Sequence, residues 1–275
     1  MLLPYRTTAN FDGPPRGTYA LIAANALVFL LARLGWIDPD SWTLEWGRID
    51  PLSWVQRSFL HLDGFHLAGN LIFLWVFAQI VEGAVGTRNF LILVLGILLA
   101  SGGLESYAYR NVEGGSFGAS GLVFGCMASA VLLAPRTRLS TIFWYFTLPR
   151  RVDIPMPVFA AVLIALDLST WVQMGAASIV IAAETGGRLP PALHMIGLAT
   201  GGALTYLGLK LGLLDAGGFD CLSKRRPESD GKLGDYVMPA SDSELPEPKS
   251  DVPKCPHCDR PRPAKLARCI YCGEQ

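Results

Sequence analysis

Residues 115–128 read GSFGASGLVFGCMA. A glycine-rich run delivers a small hydroxyl, Ser120, to the first position of an apolar segment that runs to Ala134, just before Pro135. As a helix, that segment is about 22 Å long, against roughly 30 Å for a bilayer core. If its far end sits at one interface, Ser120 lies about 8 Å below the other surface, and loop 109–119 must dip into the protein. Non-helical backbone at that depth is tolerated only when protein or a wet cavity surrounds it. Gly114, Gly115, Gly118 and Gly121 let the chain enter the helix sharply. The helix start offers free N–H groups and a partial positive charge beside that hydroxyl.

Composition places this segment in a membrane. The chain has 275 residues, 51% hydrophobic and 17% charged, whereas a soluble domain carries about 25% charged residues. Apolar stretches fall near 18–36, 66–86, 88–108, 120–134, 155–174 and 191–213. They predict an all-α membrane protein, a bundle of six transmembrane helices. The first stretch follows no compact basic region and precedes no small-residue cleavage site, so it reads as a true span and not a signal peptide. Net charge is zero, which gives no bulk attraction to nucleic acid.

Arginine placement predicts orientation. Arg6 and Arg16, then Arg136, Arg138, Arg150 and Arg151, then Lys210, Lys224, Arg225 and Arg226 all fall on one side of six spans. By the positive-inside rule that side is cytoplasmic, and so are both termini. Segments 37–65, 109–119 and 175–190 fall outside. Trp42, Trp46 and Trp54 place loop 37–65 on or in the outer leaflet. The N-terminus shows no organelle presequence, which points to a bacterial inner membrane.

The expected organisation is a cytoplasmic tail over 1–17, a membrane domain over 18–214, a linker over 215–253 and a small module over 254–275. Residues 227–253 carry seven acids and five prolines, the composition of a disordered linker.

The candidate chemistry lies in polar residues within the apolar region, where ionisable groups are costly and are functional candidates by default. Ser120 precedes Gly121 and Gly125. His194 precedes Gly197 and Gly201 on the same helical face. Small residues four apart let membrane helices approach closely, so the face that carries the imidazole also permits contact with the helix that carries the serine. Both groups fall near the outer ends of their helices, where a serine–histidine hydrogen bond is available. His66 and Asn70, four residues apart, share a face at the same depth, and two donors there suit an oxyanion hole. Singly, each has a plainer reading: Ser120 as a packing residue, Asn70 as a helix–helix bond, His61 as an interfacial residue.

FLHLDGFHLAGN (59–70), VEGAVG (81–86), GASG (118–121) and HMIGLATG (194–201), in this order, resemble the rhomboid intramembrane serine proteases. The resemblance covers about 18–214. It implies that Ser120 is the nucleophile and His194 the general base. His66 and Asn70 would stabilise the oxyanion with the Ser120 N–H. Gly118, Gly121, Phe124 and Gly197 would support the site, and Glu82 and Gly86 match a structural segment. Two departures stand out. Phe124 occupies a position where many rhomboids have a tyrosine stacked on the histidine. The family's Trp-Arg pair in the first outer loop is missing, and Trp46-Gly-Arg48 is the nearest match.

The predicted activity is serine endopeptidase hydrolysis of peptide bonds in or near transmembrane segments, through an acyl-enzyme and a Ser–His dyad with no cofactor. No acid is evident near His194. Asp167, in the fifth stretch, is the one acid well inside an apolar run; it is either a proton site or, the plainer reading in the outer part of its helix, a group that reaches water. Substrates would be membrane proteins with single spans that unwind locally, entering from the bilayer past spans two and five. The alternatives are an inactive rhomboid-like protein that binds transmembrane segments, and a transporter. The latter would need more charges at mid-depth.

The C-terminal stretch CPHCDRPRPAKLARCIYCG holds Cys255, Cys258, Cys269 and Cys272 as two CxxC pairs. That spacing predicts a closed, structural zinc site with four thiolate ligands, a zinc ribbon on the reducing cytoplasmic side. Its expected role is to bind a cytoplasmic protein partner or steady the tail.

Overall fold

A computed structural model describes residues 2–7, 14–145, 148–174, 191–217 and 220–223. The chain divides into two units, Met1–Val237 and Met238–Gln275. The second, with the predicted zinc ligands Cys255, Cys258, Cys269 and Cys272 and part of the acidic linker, lies outside the described residues.

The first unit is mostly helical. Helix α1 spans Arg16–Arg33. Short helices α2 (Pro39–Trp42) and α3 (Pro51–Gln56) lie in the long loop that follows. Helix α4 spans Gly64–Ala108, α5 Ser120–Leu133, α6 Met156–Met174 and α7 Pro191–Lys210. These bounds track the apolar stretches, since each helix ends where polar, proline or glycine residues interrupt the run. Among the described residues, α4 is long and apolar enough to cross a membrane, with mean hydropathy 1.8 over its most apolar window. Ser120–Leu133 and Met156–Thr170 are shorter apolar helices. Gly86 breaks α4 with φ 78° and ψ 158°. That conformation disfavours any side chain, and it divides α4 into two arms that match the second and third stretches.

Glu82 locks the start of α1. Its Oε1 accepts from Gly17 N (2.8 Å) and Thr87 Oγ1 (2.7 Å). Its Oε2 accepts from Thr18 N (2.7 Å) and Thr18 Oγ1 (2.8 Å). A carboxylate against free N–H groups and a helix N-terminus is favourable on both counts. Pro15 before the helix supplies no side-chain cap, so Glu82 does the capping from another helix.

The all-helical expectation is corrected. Strands β1 (Leu2–Thr7), β4 (Arg138–Tyr145) and β5 (Leu148–Pro155) form an antiparallel sheet in the order β1-β4-β5. The segment RLSTIFWY is rich in β-branched and aromatic residues, which fit a pleated, half-buried surface. Leu139 and Thr141 alternate inward and are fully buried. Pro135 keeps this run from continuing α5. A second, two-stranded sheet joins β2 (Leu44–Glu45) to β3 (Gly115–Ser116). Each sheet pairs segments that the arginine count assigns to the same side: 2–7 with 138–155, and 44–45 with 115–116.

The core runs through α4 and α5, with Leu74, Phe77, Ile80, Phe90, Ile97, Leu122 and Met127 all buried. Helices α5 and α7 meet backbone to backbone. A Cβ on Gly197 would lie 2.1 Å from Gly121 O, and one on Gly201 would lie 2.3 Å from Gly125 O. Further along this seam Thr205 Oγ1 donates to Ser129 Oγ (2.8 Å), and Ser129 Oγ donates to Gly125 O (2.9 Å).

Candidate active site

Ser120 is the first residue of α5, as its place after GSFGA predicts. The loop before it does enter the protein: Ser116, Gly118 and Ala119 are buried. Gly118 has φ 121°, a conformation that favours glycine. Its N–H donates to Arg57 O (2.8 Å), which ties the loop to the short 3-10 turn Arg57–Phe59.

A buried ion pair anchors this loop. Arg57 Nη1 lies 2.7 Å from Glu105 Oε2, and the side chains are 7% and 1% exposed. Arg57 Nη1 also donates to Ser116 Oγ (2.9 Å). Ser116 Oγ donates to Glu105 Oε1, as does Trp46 Nε1 (3.0 Å). Such a pair tolerates burial only when further hydrogen bonds support it, and here Ser116 and Trp46 supply them. Trp46 is therefore not an interfacial tryptophan as expected. It is 7% exposed and stacked on Tyr109 at 5.0 Å between ring centroids. Trp54 likewise turns inward, against Gly102 and Gly103. Sequence reasoning missed this network, although Glu105 at the end of an apolar run was its signal.

His194 sits in the first turn of α7, three residues before Gly197. Its ring stacks on Phe124, with centroids 4.7 Å apart and planes at 11°. Phe124 is one turn beyond Ser120 on the same face of α5. The seam that begins at Gly121 and Gly197 thus brings both groups to one end of the α5–α7 contact. Among the described residues Ser120 Oγ makes no hydrogen bond, so the expected bond to His194 is not formed in this structure. Catalytic hydrogen bonds often tighten only with substrate.

His66 lies in the first turn of α4, which Asp63 caps through His66 N (2.7 Å). A Cβ on Gly118 would lie 3.1 Å from His66 Cε1 and 3.4 Å from His66 Nε2. The imidazole edge therefore faces the backbone just before Ser120. Leu62 N–H donates to His66 Nδ1 (3.4 Å), which leaves the ring proton on Nε2. Asn70, one turn further, is buried, and its Nδ2 has no hydrogen-bond partner among the described residues. A buried, unmatched donor costs about 1–3 kcal/mol, so it marks a place where an acceptor is wanted. His61 packs edge-on to His66 at 5.2 Å and donates from Nδ1 to Phe59 O (3.3 Å). Burial, with the nearby His66, lowers the His61 pKa to about 4.

Asp167 departs from the sequence reading. It does not reach freely into water. Its Oδ1 lies 2.8 Å from His194 Nδ1, and the two side chains are 14% and 21% exposed. An acid does stand beside His194, carried by α6. The sequence singled out Asp167 as a lone acid in an apolar run but could not set the rotation of α6.

The Rhomboid domain family model matches residues 50–211. The chain is 28% identical over 141 residues to the rhomboid protease GluP of Bacillus subtilis, covering 46% of this chain and 26% of that protein. It is 31% identical over 137 residues to the mitochondrial presenilin-associated rhomboid-like protein of Mus musculus, covering 46% of this chain and 36% of that one. It is 28% identical over 137 residues to the rhomboid protease GlpG of Yersinia enterocolitica, covering 48% of each. The chain thus spans about a quarter to a half of the length of the curated relatives it matches. Rhomboids are integral membrane proteins, and with the family match covering more than half of its residues, this chain belongs to the rhomboid family.

Proposed function

We propose that this chain is an intramembrane serine endopeptidase, with Ser120 as nucleophile and His194 as general base. The observation that carries the reading is the stacking of His194 on Phe124, one turn from Ser120 across a glycine seam. His194 Nε2 takes the Ser120 proton as Oγ attacks the scissile carbonyl, whose π electrons move onto oxygen. Collapse of that intermediate expels the amine, which takes the proton from the imidazolium. Water then attacks the acyl-enzyme with the same base. The His66 Nε2–H, Asn70 Nδ2–H and the free N–H groups at the start of α5 are the donors available to the oxyanion. Removal of one such donor lowers kcat by about 100- to 1,000-fold.

The helices are read as six spans with both termini on the cytoplasmic side. The pairing of residues 2–7 with 138–155, and of 44–45 with 115–116, supports this reading. Substrates are membrane proteins with a single span that unwinds near its outer end. The four cysteines after residue 254 hold a structural zinc, and that module serves a cytoplasmic protein partner.

The test is cleavage of tagged single-span substrates by the purified chain in proteoliposomes. Wild-type protein should cleave and Ser120→Ala should not. Cleavage that persists in Ser120→Ala removes the assignment. Binding of spans without cleavage by either protein favours an inactive rhomboid-like receptor.

A further inference from the structure

We infer that Asp167 is a positioning residue that acts through His194, so that the site is a chain of three groups, Asp167–His194–Ser120. This rests on the protease reading for its consequence but not for its geometry.

A carboxylate can only accept a hydrogen bond, so the 2.8 Å contact of Asp167 Oδ1 with His194 Nδ1 requires the proton on Nδ1. The neutral imidazole then has its lone pair on Nε2, the form that a general base needs. Two contacts from two helices fix the ring. Phe124 of α5 holds its face, and Asp167 of α6 holds its edge. Low exposure keeps water from replacing the carboxylate. When His194 takes the serine proton, the adjacent negative charge stabilises the imidazolium. A tie whose only task was to join α6 to α7 would gain little from a charge here, since desolvation offsets much of the attraction. Asp167 Oδ2, moreover, is buried and has no partner among the described residues. The only bond the carboxylate makes there is the one to His194. His66, on α4, also lies near enough to His194 to interact with its charge, but its Nδ1 accepts from Leu62 N–H, so it carries no negative charge and cannot substitute for the acid.

The experiment uses the full chain in proteoliposomes, as wild type, Asp167→Asn, Asp167→Leu and Asp167→Glu. Histidine ring nitrogens are labelled with 15N, and the His194 signal is assigned by its loss in His194→Gln. Wild-type His194 should show the Nδ1–H tautomer. Asp167→Leu should shift it towards Nε2–H, independently of any catalysis. For cleavage, Asp167→Asn should lower kcat by about 100- to 10,000-fold with KM changed less than about threefold. Asp167→Glu should restore at least about tenfold of that loss, since it returns a carboxylate. Thermal midpoints identify any variant that fails to fold, and Asp167→Asn, nearly the same shape, serves where Asp167→Leu does not. A His194 tautomer that ignores Asp167, or kcat within about threefold in Asp167→Asn, overturns the inference. A wild type that neither cleaves nor reacts with a fluorophosphonate, yet shows the Asp167-dependent tautomer, overturns the protease reading while supporting the positioning.

Discussion

Helices α5 and α6 both border α7, yet they meet it by opposite means. Helix α5 is buried along most of its length, and its glycines touch those of α7 through bare backbone. Its start is pinned again by the Arg57–Glu105–Ser116 cluster through Gly118. Helix α6 packs Phe159 against Phe73 and Phe77 of α4, keeps an exposed apolar face with Val158 52% and Leu166 56% exposed, and reaches His194 through one ion pair. The difference is that between a contact with α7 made by shape and one made by charge. Shape fixes Ser120 in the fold. Charge fixes the His194 tautomer and contributes little to the fold. Substitutions should therefore separate stability from chemistry according to which helix they touch.

The largest effect should come from the seam. Gly197→Leu puts a side chain into the Gly121 carbonyl, and the loss should exceed the roughly 4–5 kcal/mol that already marks an exceptional substitution. The readout is the folded fraction in detergent. A stable Gly197→Leu protein would break the claim that backbone contact sets this pairing. Arg57→Met should come next, at about 3–5 kcal/mol, because it strands a buried Glu105 charge. Denaturant titration measures it, and Arg57→Met with Glu105→Gln should recover part of the loss. On the α6 side, Asp167→Asn should change stability by less than about 1 kcal/mol, because it keeps the shape of the side chain and removes a charge whose attraction to His194 is largely offset by desolvation. A large loss of stability there would make α6 a structural clamp and end the contrast.

The smallest effect is one of pH. Burial holds the His61 pKa at about 4 against 6.5 in an unfolded chain. As pH falls from about 6.5 to 4 the unfolded state takes the proton first, so stability should decline across that window and level off below it. His61→Gln should flatten that part of the curve of thermal midpoint against pH. An unchanged slope would mean that His61 is not held neutral in the folded protein.

The seam between α5 and α7 was legible where it depends on periodicity. Ser120 with Gly121 and Gly125, and His194 with Gly197 and Gly201, announce two faces made for each other, and the structure joins them. His66 and Asn70, four apart, needed only helical geometry to share a face. The sheet of β1, β4 and β5 was less visible, because arginines in 136–151 drew attention to charge and away from the strand-forming run 139–145. The tryptophans misled for a related reason. Trp46 suits an interface by type, but its indole N–H has a buried carboxylate to meet.

The sequence by itself determined the apolar helices, the glycine seam and the presence of a serine and a histidine on matching faces, since each is written in spacings within one segment. The tertiary structure alone decided that Asp167 meets His194 and that Arg57 meets Glu105. A lone charge on an apolar segment must find water or a counter-charge, and which it finds depends on the rotation and approach of segments 27 and 48 residues away. Local spacing does not contain that information, because the pairing is settled only when distant surfaces pack.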